Sequence, residues 1–99
     1  MEITIQSIRF DATEKLQDFI QKKVSKLEKF SDEIRKVEVS LKVVKPETAM
    51  NKEVALQMAI GSTTLYADKV CDTFEEAIDD CVETLQRQIS KYKEKQKSH

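Results

Sequence analysis

The chemistry this sequence offers at regular spacing is cationic. Lys15, Lys22, Lys26 and Lys29 follow one another at intervals of seven, four and three residues. Arg87, Lys91 and Lys95 recur every four residues. Wound as a helix at about 100° per residue, Lys22, Lys26 and Lys29 fall within roughly 40° of Lys15, with Asp18 interrupting the row. Lys23 falls nearer the apolar sector, so its stem must lie along apolar surface while the ammonium reaches outward. Arg87, Lys91 and Lys95 drift around one flank of their helix, and Lys93 and Lys97 lie on the other. Ridges of this kind neutralise phosphates, and two of them on one side of a protein would make a single positive surface. With no Trp and only Tyr66 and Tyr92 as tyrosines, a platform for stacking single-stranded bases is not expected. Recognition would run through backbone and shape.

Other chemistries lack their parts. The one histidine is His99, at the last position, where no element is expected to hold it as a base. No Ser-His-Asp or Cys-His arrangement can be assembled without a second one. Gly61 is the sole glycine, so no phosphate-cradling loop exists. The acidic pairs Glu75-Glu76 and Asp79-Asp80 read as a solvated helix face near a positive dipole end rather than as metal ligands. Cys71 and Cys81 read as core thiols, and two cysteines at this spacing form neither a disulfide framework nor a close metal-ligand pair. No catalysis, cofactor, metal or small-molecule substrate is expected.

The chain of 99 residues is long enough for one core and too short for two, so residues 1–99 form a single domain. Its 39% hydrophobic content suits a folded protein. No apolar run reaches the ~18 residues of a membrane span, and the amino terminus has no secretory pattern. A reduced, cytoplasmic setting is expected. Seventeen basic residues stand against eighteen acidic ones. Residues 84–99 nevertheless carry five bases and one acid, whereas 71–83 carry six acids and no base. Charges are screened beyond about 8 Å at physiological salt, so a partner feels the local patch and not the net charge.

The elements that must position these residues are legible. Glu2 to Phe10 reads as a strand whose apolar phase shifts at Ile8, marking a bulge or an end. Asp11 to Phe30 reads as a helix capped by Asp11 with Glu14 completing a capping box, its stripe running Leu16, Phe19, Ile20, Val24, Leu27, Phe30. Ile34 to Val44 alternates with Val37, Val39, Leu41 and Val43 on one face. A loop around Pro46 follows, then a strand from Glu53 to Ile60, a hairpin turn at Gly61-Ser62, and a strand from Thr63 to Val70. Thr73, with Glu76 three residues on, caps a second helix reaching about Lys95. Residues 93–99 lack an apolar anchor and are expected to fray or extend as a mobile basic tail. The fold class is α+β: a two-layer β-α-β-β-β-α sandwich, a four-stranded sheet with both helices on one face.

The sequence resembles the ribosome hibernation-promoting factor family, also called ribosome-associated inhibitor A or sigma modulation proteins. The likeness is carried by Thr13-x-x-Leu16-x-x-Phe19 leading to Lys23-x-x-Lys26-Leu27-Glu28-Lys29, and by Ala77-Ile78-Asp79 followed by Leu85-x-Arg87-Gln88-Ile89-x-Lys91-x-Lys93-x-Lys95. The resemblance implies a fold similar to double-stranded RNA-binding domains. It implies binding of small-subunit ribosomal RNA between head and body, near the decoding centre. It implies steric exclusion of transfer and messenger RNA, and silenced translation in stationary phase or stress. The family's RNA-contacting positions correspond to Lys23, Lys26, Arg87, Lys91 and Lys95; the helical geometry adds Lys22 and Lys29. Thr84 stands where a lysine is frequent and Glu75 where an aromatic is usual, which bears on individual contacts. The length resembles short-form members without the long forms' dimerisation domain, so ribosome pairing would need a helper factor. A protein-interaction module using the open sheet face or an edge strand is the alternative. A small-molecule enzyme on the same scaffold would need a polar pocket with a perturbed titratable group.

Overall fold

Strands form where apolar residues alternate, because a sheet covered on one side has a period of two. The computed structural model describes residues 1–8, 10–44 and 50–97, the side chains of Gln96 and Lys97 excepted. The loop expected around Pro46 and the terminal His99 lie outside the described residues. In chain order the elements are β1 (Glu2–Ile8), α1 (Glu14–Ser25), a 3-10 segment (Lys26–Phe30), β2 (Ile34–Val43), β3 (Lys52–Ile60), β4 (Thr63–Cys71) and α2 (Phe74–Lys97).

The sheet order is β1-β2-β3-β4. β1 runs parallel to β2, with Ile3 opposite Val37 and Ile5 opposite Val39. β3 is antiparallel to both neighbours, with Leu56 opposite Val39 on one side and Ala67 on the other. Val37, Val39, Leu41, Val54, Leu56, Met58 and Ile60 are buried beneath the helices. They meet Ile20, Val24 and Leu27 from the first helical stretch and Ala77, Ile78, Cys81, Leu85 and Ile89 from α2. The other sheet face carries Lys36, Glu38, Gln57 and Tyr66, with Lys36 paired to Glu38 at 3.1 Å. At the edge, the Gln88 amide of α2 donates to the Tyr66 carbonyl of β4 at 2.9 Å.

The first helix starts later than the sequence suggests, and its cap is Thr13, not Asp11. Thr13 is extended (φ −66, ψ 155) and its hydroxyl accepts from Leu16 N–H. The reason lies just upstream. The Phe10 ring stacks on Phe74 at 5.1 Å, and Ala12 packs against the core, so the chain must pass the start of α2 before it can wind. The α-helix also ends at Ser25, and the tighter 3-10 segment follows. In that geometry i and i+3 eclipse, which puts Leu27 and Phe30 in one line toward the core. Thr73 caps α2, accepting from Glu76 N–H at 3.1 Å. β1 ends at Ile8, where the apolar phase shifts.

The connections fix helix direction. α1 carries the chain from the end of β1 back to the start of its parallel neighbour β2, so it runs against them. β4 points the same way as β2, and α2 folds back from its end. The two helices therefore run side by side and parallel. Phe10 on Phe74 sets the approach to α1 beside the start of α2, and Lys23 in the last turn of α1 reaches Asp79 in the first half of α2. At about 1.5 Å per residue the 24 residues of α2 span ~36 Å, more than half of the molecule's 50 Å long axis. Residues 93–97 continue this helix instead of leaving it.

Candidate nucleic-acid interface

The helix directions sort the charges of the helical layer. Glu14, Glu75, Glu76 and Asp79 sit on the amino-terminal halves, where the helix dipole is positive. Lys22, Lys26, Lys29, Arg87, Lys91 and Lys95 sit on the carboxyl-terminal halves or beyond, and all are exposed. Lys26 and Lys29 fall in the 3-10 segment and so eclipse each other as a short row. Leu27 and Phe30 take the inward edge of the same segment, and Glu28 takes the third, 3.5 Å from the Met1 amine.

Lys23 and Arg87 each meet a carboxylate. Lys23 is half-buried, and its ammonium lies 3.1 Å from Asp79 and 5.6 Å from the Phe19 ring centroid. Its stem lies along the apolar surface with its charge turned out, as its place on the helix requires. It ties α1 to α2 besides offering charge. Arg87 pairs with Glu83 one turn earlier at 3.2 Å, both side chains largely exposed. Pairs this exposed are worth about 0.2–1 kcal/mol, so a phosphate can displace the carboxylate.

The α1 row begins level with the acidic first half of α2, where Lys23 meets Asp79, and the Arg87–Lys95 row lies further along the layer. On α2 the turn facing α1 holds Glu75 and Asp79; Arg87 is on the crest, and Lys91 and Lys95 pass to the flank over β4. Lys22 and Lys26 project outward from α1 and lean toward α2. Cations thus stand on both sides of the helical layer. Thr84, a half-buried residue, turns its hydroxyl back to the Asp80 carbonyl at 2.9 Å and adds no charge.

Nothing among the described residues assembles a reactive group. No cluster of three or more His, Cys, Asp or Glu is placed to hold a metal. Cys81 is buried and its thiol is pushed up to about 12, chiefly by desolvation and then by Asp68 and Asp80. Cys71 is also raised, by burial first and then by Glu76 and Asp80. Both thiols are free and protonated at neutral pH. An open cleft of about 520 Å³ is lined by Glu14, Lys15, Asp18, Phe19 and Lys22. No described helix is long and apolar enough to cross a membrane.

Fold and surface together define a class: a small two-layer α+β module whose helical layer presents lysines from two parallel helices. A model of the family described as Sigma 54 modulation protein / S30EA ribosomal protein matches residues 3–97. The ribosome hibernation promoting factor of Escherichia coli (strain K12) is 32% identical over 99 residues, covering 100% of both chains. That of Klebsiella oxytoca is 30% identical over 99 residues with the same coverage. A ribosomal subunit interface protein from Coxiella burnetii shares the fold with a TM-score of 0.84 at 24% identity, covering 94% of this chain and 98% of that one. The Thermus thermophilus Protein Y N-terminal domain gives 0.80 at 18% identity, covering 93% and 99%. The chain belongs to the Sigma 54 modulation protein / S30EA ribosomal protein family, whose members are ribosome-associated factors and not enzymes.

Proposed function

We propose that the protein is a cytoplasmic ribosome hibernation factor that binds small-subunit ribosomal RNA near the decoding centre. There its rigid body occupies space needed by transfer and messenger RNA, and translation stops without any covalent step. The observation that carries this reading is the exposure of Lys22, Lys26, Lys29, Arg87, Lys91 and Lys95, from α1, the 3-10 segment and α2, on one helical layer. The relatives' shared name, ribosome hibernation promoting factor, supports the same role. The contact set is Lys22, Lys23, Lys26, Lys29, Arg87, Lys91 and Lys95. Lysines neutralise phosphates and release counterions, so binding is salt-sensitive. Ribosome pairing, where it occurs, uses a further factor.

Sedimentation with purified small subunits over a salt series tests this. About six phosphate contacts give a slope of log affinity against log salt of roughly −4 to −5. A rival docking through the open sheet face rests on Tyr66, which is 52% exposed there. Capture of a protein partner insensitive to salt and independent of RNA would favour that rival and overturn the RNA reading.

A further inference from the structure

Beyond Ile89, α2 has one described side chain packed against the core, Tyr92. Lys91, Lys93, Glu94 and Lys95 around it are exposed. The Tyr92 hydroxyl donates to Glu33 Oε2 at 2.9 Å, reaching from α2 to the turn before β2. Gly61, in the β3–β4 hairpin, joins the same junction: its N–H donates to the Glu33 carbonyl at 3.1 Å. Gly61 also has a φ of +56, and a Cβ there would collide with the Tyr92 hydroxyl. Three distant segments therefore close on one another, and the hairpin must be bare of side chain where the phenol lies.

We propose that Tyr92, Glu33 and Gly61 form a latch that positions the basic end of α2 for ribosomal RNA. The inference rests on the RNA-binding reading above and adds positioning residues to it. The last turns of a helix fray unless a tertiary contact holds them. A frayed Lys91–Lys95 segment would still reach phosphate, but its ordering would be charged against the affinity. The latch supplies that order before RNA arrives.

The test uses the full chain with Tyr92→Phe, Glu33→Gln and Gly61→Ala, and reads two quantities. Hydrogen exchange of the amides at 93–97 should quicken in all three while the β2 and β3 amides keep their protection. Small-subunit affinity should fall roughly three- to tenfold in Tyr92→Phe, as loss of a partly exposed charged hydrogen bond allows, and by about two- to threefold in Glu33→Gln, whose amide oxygen still accepts from the phenol without the charge. The salt slope should stay unchanged, because no phosphate contact is removed. Gly61→Ala should lose less affinity in the Tyr92→Phe background than in wild type, since the hydroxyl that meets the new methyl is gone. A role in stability alone would leave affinity untouched at temperatures where each variant is fully folded. Wild-type affinity in Tyr92→Phe and Glu33→Gln, or a flattened slope in either, overturns the latch. If the wild type itself ignores the small subunit, the functional reading fails instead, and unchanged exchange at 93–97 would then reject the latch on its own.

Discussion

Reversing one cation on each ridge, Lys26→Glu with Lys91→Glu, should uncouple binding from folding. Both side chains are exposed, and neither joins an ion pair among the described residues. Two lost phosphate contacts flatten the salt slope by about 1.4–1.8. With about 0.8 counterions released per contact, two contacts at 0.15 M salt amount to ~1.3 log units, a roughly 20-fold loss. Reversal adds repulsion from two carboxylates and takes the loss to roughly 100-fold. Stability should change little. A glutamate near the carboxyl end of α2 costs about 0.3–1 kcal/mol against the dipole, a melting shift below roughly 8 °C for a chain of this size. Co-sedimentation with small subunits at four or five salt concentrations, beside thermal unfolding, measures both. Lys36→Glu is the control: it lies on the open sheet face beside Glu38 and should bind with the wild-type slope. Unchanged affinity and slope in the double variant, or an equal loss in Lys36→Glu, would refute the assignment of the helical layer.

Further outcomes follow from the cap and the buried thiol. Thr13→Ala should lower unfolding free energy by about 1 kcal/mol, and Asp11→Ala by less than about 0.5 kcal/mol, in denaturant titrations; the reverse order would restore the cap to Asp11. Cys81 carries a folded pKa of about 12 against an ordinary 9.0. The unfolded thiol therefore ionises first, so this contribution is intact below pH 9 and is lost as pH rises from 9 toward 12. At pH 10 the loss is about 1.4 kcal/mol, and Cys81→Ala should show a correspondingly shallower decline between pH 8 and 10. Equal slopes in the two proteins would contradict it.

Much of the architecture is readable because the sheet is covered on one side only. Val37, Val39 and Leu41 in β2 alternate with polar residues, Val54, Leu56 and Met58 in β3 alternate with small or polar ones, and all six are buried as that alternation requires. Thr73 and Glu76 mark the start of α2 by local chemistry alone. The first cap was harder, since Asp11 and Thr13 are both good caps and only the stacking of Phe10 on Phe74, 64 positions away, decides between them. The 3-10 segment likewise follows from tertiary demand on Leu27 and Phe30, and it brings Lys26 and Lys29 closer into line than an α-helix would. For the site, residue type and spacing found the lysines and the snorkelling of Lys23. They did not reveal that Asp79 holds Lys23 or that Arg87 answers to Glu83, although the four-residue spacing of the latter pair was visible. The junction of Glu33, Gly61 and Tyr92 joins three segments far apart in sequence, and no local pattern announces it.

Parallel helices with acids at their beginnings and lysines toward their ends give a nearly neutral molecule a pronounced electrical polarity. Its formal charge is −1, so at long range a polyanion neither draws it in nor repels it strongly. Closer in, the field acts as a torque, turning the lysine end forward and the carboxylate end away before any contact is made. Such a protein should drift past stray nucleic acid with little retention and dock only where a concave phosphate wall can hold one particular orientation.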